Sequence, residues 1–362
     1  MTITIKKVSA KRDLKKFIRF NYILYKNNPF SVPDLYDDML NTFNKKKNAA
    51  FEFCEADYFL AYRDGEIVGR IAAIINHKAN ERWNKKEVRF GWIDFLDDYE
   101  ISEALLRTVE EWGKERGMTH IIGPLGFTDF DAEGMLIEGF DQLSTMATIY
   151  NHPYYISHME RLSFTKDADW LEFKIYIPNA IPEKHQRIAD LVQRKYNLKI
   201  KKYTSSKKIA RDYGQAIFEL MNEAYSPLYG YSALSQRQIN QYVRMYLPIV
   251  DLRMVTLITD AEDKLIGVGI SMPFGWYYLL KALFMRRRSK ILDLLLVAVK
   301  PEYQNKGVNA LLFSDLIPVY QKLGFIFAES NPELEQNGKV QAQWEYFETE
   351  QHKRRRAFIK EI

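Results

Sequence analysis

The residues best placed to do chemistry lie in one run, Leu294-Leu-Leu-Val-Ala-Val-Lys-Pro-Glu-Tyr-Gln-Asn-Lys-Gly-Val-Asn309. Its apolar beginning reads as a buried strand. Pro301 ends the pairing by removing a backbone donor, and the loop Gln304-Asn-Lys-Gly307 leads into helical spacing. A strand, a glycine-bearing loop and a helix start together present unpaired N–H groups to an anion, phosphate above all. Gly307 lets a backbone approach closely, and Lys306 adds positive charge. The dinucleotide and P-loop fingerprints are both absent, which disfavours nicotinamide and Walker-type sites. The six histidines form no pair at metal-ligand spacing, and the single cysteine, Cys54, excludes an internal disulfide and a cysteine-based zinc cluster. No metal is expected. Cys54 itself is expected to pack in the core.

The elements that must position this loop recur along the chain. Tyr58-Phe-Leu-Ala-Tyr-Arg-Asp-Gly-Glu-Ile-Val-Gly69 reads as a hairpin, with Asp64-Gly65 as its turn. Met254-Val-Thr-Leu-Ile-Thr-Asp-Ala-Glu-Asp-Lys-Leu-Ile-Gly267 repeats the shape, and Ile67-Val68-Gly69 corresponds to Leu265-Ile266-Gly267. Helical spacing from Glu103 runs to Gly117, and from Asn309 to Gly324 with Pro318 inside it. Each leads into an apolar strand, Thr119-His-Ile-Ile122 or Phe325-Ile-Phe-Ala328. Hairpin, strand, helix and strand, twice over, predicts an α/β tandem of two related domains. The connector Ile175-Tyr-Ile-Pro-Asn-Ala-Ile-Pro182, with its two prolines, places the boundary between residues 1–178 and 179–362.

At 362 residues, either half is long enough to bury its own core. The net charge of +5 is uneven: residues 1–178 hold 24 Lys/Arg against 28 Asp/Glu, and residues 179–362 hold 28 against 19. A basic second half suits an anionic ligand. Met1-Thr-Ile-Thr-Ile-Lys-Lys7 lacks the apolar region of a secretory signal, and no stretch is long enough to span a bilayer, so a cytoplasmic location is expected. The segment 274–288 opens Phe274-Gly-Trp-Tyr-Tyr278 and ends Arg286-Arg-Arg288. It reads as a hydrophobic cover, or as a surface for an acyl chain or a peripheral membrane contact. Asp129, Asp131, Glu133 and Glu138 read as a solvated loop or as recognition of an amine, and His152 as part of an aromatic cleft. Nucleic-acid binding would rest on His352-Lys-Arg-Arg-Arg356 alone, without a helix-turn-helix or finger pattern, and is disfavoured.

The run Val297 to Asn309 resembles motif A of the GNAT superfamily, the Gcn5-related acyl-CoA-dependent N-acyltransferases. That motif is Gln/Arg-x-x-Gly-x-Gly/Ala, preceded by Val-x-Pro-x-Tyr and followed by Ala-Leu-Leu, as in Val299-Lys-Pro-Glu-Tyr303 and Ala310-Leu-Leu312. The resemblance implies two GNAT-like domains in tandem, each a mixed sheet flanked by helices. It implies that the coenzyme A diphosphate sits on the amides of Gln304, Asn305, Lys306, Gly307, Val308 and Asn309, and that pantetheine pairs beside Leu296, Val297, Ala298 and Val299. Asn309 stands where the motif prefers Gly or Ala. Downstream, Asn337-Gly-Lys-Val-Gln-Ala-Gln-Trp344 matches a family pattern whose last position is a tyrosine that protonates the leaving thiolate. Trp344 cannot serve as that acid, and Tyr346, two residues on, is the substitute candidate, although helical spacing turns it to another face. Asp293, on the strand entering the motif, is the candidate base. The first half resembles the family in topology only, because Trp92-Ile-Asp-Phe-Leu-Asp-Asp-Tyr99 lacks Gln-x-x-Gly. The function implied is acyl transfer from an acyl-CoA donor to a small-molecule or lipid amine. The alternative is a catalytically silent module that keeps the coenzyme A groove.

Overall fold

The computed structural model describes residues 2–145, 147–273 and 290–362, so the segment 274–288 lies outside the described residues. The chain divides into two compact units. One comprises Met1–Leu171, Gly230–Ser232 and Lys353–Ile362; the other comprises Glu172–Tyr229 and Ala233–His352. The first crossing thus falls a few residues before position 178, and the C-terminal strand from Lys353 belongs to the first unit.

The first unit contains β1 (Thr4–Lys7), α1 (Lys11–Leu24), α2 (Tyr36–Thr42), β2 (Cys54–Arg63), β3 (Glu66–Asn76), α3 (His77–Trp83), β4 (Glu87–Phe95), α4 (Tyr99–Lys114), β5 (His120–Gly123), β6 (Met135–Glu138) and α5 (Tyr154–Arg161). Strand β7 (Thr165–Tyr176) begins there and ends in the second unit. The second unit continues with α6 (Glu183–Lys195), β8 (Lys199–Lys201), α7 (Ser206–Tyr225), α8 (Gln236–Tyr246), β9 (Val255–Thr259), β10 (Leu265–Pro273), β11 (Ile291–Val299), α9 (Val308–Leu323), β12 (Phe327–Ser330), β13 (Glu333–Leu334) and α10 (Gly338–Gln341). Strand β14 (Thr349–Glu361) starts in the second unit and finishes in the first.

Both units build a mixed sheet by the same steps. In the first, the order is β1-β2-β3-β4-β5-β14, with β4 and β5 parallel and the other neighbours antiparallel. In the second, it is β7-β12-β11-β10-β9-β8, with β11 and β12 parallel. The expected hairpins are present as β2–β3 and β9–β10. At the first turn both Asp64 (φ 52°) and Gly65 (φ 87°) are left-handed, the conformation a tight hairpin turn needs. Each parallel pair is joined by a helix laid across the sheet, as parallel strands require. Ile101, Leu105, Leu106 and Val109 of α4 fill the core of the first unit. In the second, α9 buries Leu311 and Leu312 towards α6, and Phe313, Leu316 and Ile317 towards β11 and β12. Each such aliphatic side chain contributes roughly 1.5–3 kcal/mol when removed from water. Pro318 does not end α9, which stops at left-handed Gly324 (φ 78°).

One irregularity shapes everything near the motif. Opposite β10, Ile270 faces Leu296 while Met272 faces Asp293, so three steps along β11 match two along β10. This is a β-bulge, and it switches the side-chain alternation. Before it, Leu292 and Leu294 face the core beneath α9; after it, Val297 and Val299 do so. Pairing with β12 covers only Ile291–Leu294 against Phe327–Ser330. Beyond the bulge β11 leaves its neighbour, and Pro332 lies in the chain that departs from β12.

Candidate functional site

The loop after β11 holds its amides in two groups. Gln304 N–H closes the turn onto the carbonyls of Lys300 (3.1 Å) and Pro301 (3.2 Å), and its side-chain amide donates to Val299 O at 3.1 Å. Lys306 N–H reaches Tyr303 O at 3.4 Å. The amides of Asn305, Gly307, Val308 and Asn309 have no acceptor among the described residues. Asn305 (φ 59°) and Gly307 (φ 83°) are both left-handed, a backbone that gathers N–H groups into an anion-binding hollow at the positive end of α9. The exposed Lys306 lies with Nζ 5.4 Å from the Tyr196 ring centre and 5.5 Å from that of Tyr303. The Asn309 side chain donates to Gln343 Oε1 at 3.0 Å and leaves its own backbone N–H open. Gly307 has a packing reason to be glycine as well: a Cβ there would stand 2.8 Å from Ile188 Cγ2 and 3.0 Å from Val192 Cγ2 of α6.

The second part is the edge that β11 exposes past its bulge. Asn331 Nδ2 donates to Leu295 O at 2.7 Å, and the Tyr225 hydroxyl at the end of α7 donates to Val297 O at 3.0 Å. Carbonyls two residues apart in a strand point to the same edge, and a residue's N–H points with its carbonyl. The Val297 N–H is therefore directed to the same open edge, a preformed donor for a negative charge developing there. In the chain beyond β12, where β13 pairs with β7, Glu333 is 9% exposed, its Oε1 accepts the Trp344 indole N–H at 2.9 Å, and its charge acts on the Tyr225 phenol that bonds Val297 O. Its Oε2 is buried with no hydrogen-bond partner among the described residues. Burial raises the Glu333 carboxyl to about 7, although the Trp344 bond works against the rise. The Tyr225 phenol is held protonated by burial and, more weakly, by the charge of Glu333.

Other candidates fall elsewhere. Asp293 is buried in the paired part of β11, opposite Glu329 and ahead of the bulge. Trp344 is buried against Phe313, whereas the Tyr346 ring packs at the start of α6, 6.3 Å from the His185 ring and 4.9 Å from Lys184 Nζ. Asn337 caps the short α10 without a side-chain bond. In the first unit, Asp129, Asp131 and Glu133 form a half-buried group near Arg89, and their desolvation raises all three carboxyls, Asp131 to about 6. Asp129 accepts Ser232 N–H at 3.1 Å and Asp131 accepts Thr128 N–H at 3.0 Å. His152 stacks between Tyr25 and Tyr154. Cys54 is buried, its thiol pushed up to about 12. The basic run at the C-terminus is strand β14: Lys353 and Arg355 are buried, and Arg354 and Arg356 pair with Asp169. Glu333 and Tyr225 had no signal in the sequence beyond a carboxylate after Pro332 and a tyrosine at a helix end.

The corresponding places in the first unit are stopped up by its own side chains. The Asp98 carboxylate caps α4, accepting Glu100 N–H at 2.9 Å and pairing with Arg63 at 2.7 Å, so negative charge already occupies that helix start. Strand β4 pairs with β5 only over Glu87–Arg89, and Leu125 N–H then bonds Phe90 O at 2.9 Å. The next residue, Gly91, has no room for a Cβ, which would lie 2.5 Å from Leu125 O. At the end of β4, Phe95 N–H donates to the Tyr155 hydroxyl at 3.1 Å, and the Tyr154 hydroxyl donates to Phe95 O.

Among the described residues no group of three or more His, Cys, Asp or Glu could hold a metal ion, and no helix is long and apolar enough to cross a membrane. No protein-family model matches the chain. It is 26% identical over 373 residues to Protein YghO of Escherichia coli (strain K12), covering 97% of this chain and 94% of that protein. It is 25% identical over 329 residues to a bacterial ceramide synthase of Caulobacter vibrioides, covering 84% and 82%. Among solved structures, a tandem GNAT protein from the clavulanic acid biosynthesis pathway superposes with a TM-score of 0.58 at 12% identity, covering 99% of this chain and 98% of that one. With the repeated mixed sheet, the bulged strand and the loop at the start of α9 in place, the chain has the tandem GNAT fold.

Proposed function

We propose that the protein is an acyl-CoA-dependent N-acyltransferase whose acceptor is a lipid amine. The observation that carries the reading is the open edge of β11 running directly into the unpaired amides of Asn305, Gly307, Val308 and Asn309. An extended amide chain ending in a diphosphate fits this track: it lies beside Leu296, Val297, Ala298 and Val299 with the Val297 N–H facing it, and its phosphates meet the start of α9. The thioester carbonyl then lies near the Val297 N–H, which stabilises the oxyanion formed when the amine attacks. A C–N bond forms, the C–S bond breaks, and the acyl group passes directly without a covalent enzyme intermediate. The second unit supplies the whole track. The lipid character of the acceptor is supported by the relative named as a ceramide synthase, since a ceramide is the amide of a long-chain amine. An acyl chain of matching length on the donor would suit the apolar segment 274–288, which lies outside the described residues.

The test is Asn309→Asp. A carboxylate in the first turn of α9 favours the helix by about 0.3–1 kcal/mol, and Gln343 can turn its amide to donate to it. The same carboxylate repels a diphosphate. Coenzyme A affinity, measured by titration calorimetry, is expected to fall at least about tenfold while thermal stability holds or rises. Unchanged affinity would remove the diphosphate site from α9. The silent-module reading draws on one observation, the Trp344 indole where the family has a phenol. Tight coenzyme A binding with no transfer to any long-chain amine would favour it.

A further inference from the structure

We propose that Glu333 is the general base of the transfer, its Oε2 taking the proton from the acceptor nitrogen in the gap between β11 and the chain leaving β12. The inference rests on the acyl-transfer reading above. Three contacts define the gap. Asn331, two residues before Glu333, is fixed to Leu295 O, and Tyr225 is fixed to Val297 O, both on the open edge. The Trp344 indole grips Oε1 and fixes the carboxylate from behind. Among the described residues that leaves Oε2 buried and without a donor, an arrangement that stable proteins avoid unless the atom has work to do. An amine nitrogen entering to attack a thioester beside Val297 supplies the missing N–H.

The step balances without another reactant. The nitrogen lone pair forms the C–N bond, and the N–H proton moves to Glu333 Oε2. The tetrahedral oxyanion collapses, and sulfur leaves as thiolate with the C–S electron pair. The proton held by Glu333 then returns to the thiolate, so amine and thioester become amide and thiol and the carboxylate is restored. Trp344 thus becomes the residue that positions a base, in the place where the family pattern has an acid. Titratable side chains near the gap include Tyr225 at the end of α7, Asp293 of β11 and Glu329 of β12, with His352 3.4 Å from Glu329, and, on β7 to which β13 pairs, Asp169, Glu172 and Lys174. Asp293 and Glu329 lie in the paired part of their strands, whereas Glu333 lies past it. Burial places the carboxyl at about 7, where it is both substantially ionised and basic enough to accept a proton under neutral conditions.

The test compares the full-length wild type with Glu333→Gln, using palmitoyl-CoA, a long-chain primary amine and detection of released thiol. In the wild type kcat/KM is expected to rise with pH through about 7 and then level off. Glutamine keeps an oxygen for the Trp344 N–H but cannot take a proton. The variant should lose roughly 10²–10⁴-fold in rate and lose the rise, with coenzyme A affinity unchanged. A variant that keeps the wild-type rate and the same rise overturns the assignment of the base and leaves the transfer reading standing. A wild type that binds coenzyme A but acylates no amine overturns both. Should Glu333→Gln fail to fold, Trp344→Phe decides. Removing the indole N–H takes away the bond that holds the carboxyl down, so the rise should move to higher pH; a rise that stays in place overturns the proposal.

Discussion

Glu333→Gln makes a stability prediction opposite to that of most core substitutions, and its sign follows from one carboxyl. Glu333 has an ordinary value of 4.5 when exposed and about 7 in the folded protein, because burial disfavours the charge. Below the lower value the acid is neutral in the folded and the unfolded chain, and it costs nothing. Between the two values the unfolded chain releases the proton while the folded chain keeps it, so stability falls as pH rises. Above about 7 the folded state ionises as well and the loss is complete, amounting to about 3 kcal/mol. Glutamine never ionises and escapes this loss, but its NH2 inherits the partnerless position of Oε2 at a cost of about 1–2 kcal/mol. The net expectation at pH 8 is a gain of about 1–2 kcal/mol, roughly 2–8 °C in melting temperature for a domain of this size. At pH 4, where the wild type escapes the ionisation loss, the variant should be about 1–2 kcal/mol weaker. Urea unfolding at the two pH values measures the difference directly. A variant destabilised by the same amount at both would refute the reasoning, because the carboxylate would then carry no burial cost. A protein that is more stable and slower at once is the signature of a site that gives up stability for function.

Gly307→Ala should cost about 2–4 kcal/mol, from a left-handed φ of 83° and a Cβ 2.8 Å from Ile188 Cγ2, and chemical denaturation of the variant checks it. Loss of coenzyme A binding in that variant therefore reports on folding as well as on the loop, which makes Asn309→Asp the cleaner probe. Asp98→Ala should weaken the first unit by about 1 kcal/mol through the lost cap of α4, with coenzyme A affinity unchanged because the track lies in the second unit. A change in affinity would show that the first unit contributes to the donor site.

Local rules made the architecture legible. Asp64-Gly65 adopts the two left-handed conformations that a tight hairpin needs, and those residues are among the few that adopt them readily. The leucine and valine spacing of α4 and α9 states which face meets the sheet. The loop before α9 announces the free amides of Gly307, Val308 and Asn309 because helix starts have them by construction. The helical spacing used to separate Tyr346 from Trp344 does not apply, because α10 ends at Gln341 and a 3-10 turn ends at Trp344; the Tyr346 ring packs near His185 and Lys184 of α6.

What the sequence alone determined is therefore the set of elements, their repetition and a glycine-bearing loop at a helix start, since each depends on residues a few positions apart. Tertiary structure decided which atoms share the open edge. The β11 bulge is visible only against β10, and it reverses which residues face the core. The last strand returns to the first unit, turning a basic run that looked free into buried and ion-paired side chains. Tyr225 and Asn331 reach the edge of β11 from separate stretches of chain, and Trp344 reaches Glu333, two residues beyond Asn331. Burial then changes the chemistry of Glu333 in a way no neighbouring residue encodes, because desolvation is a property of everything that surrounds a group in space and not of its place in the chain.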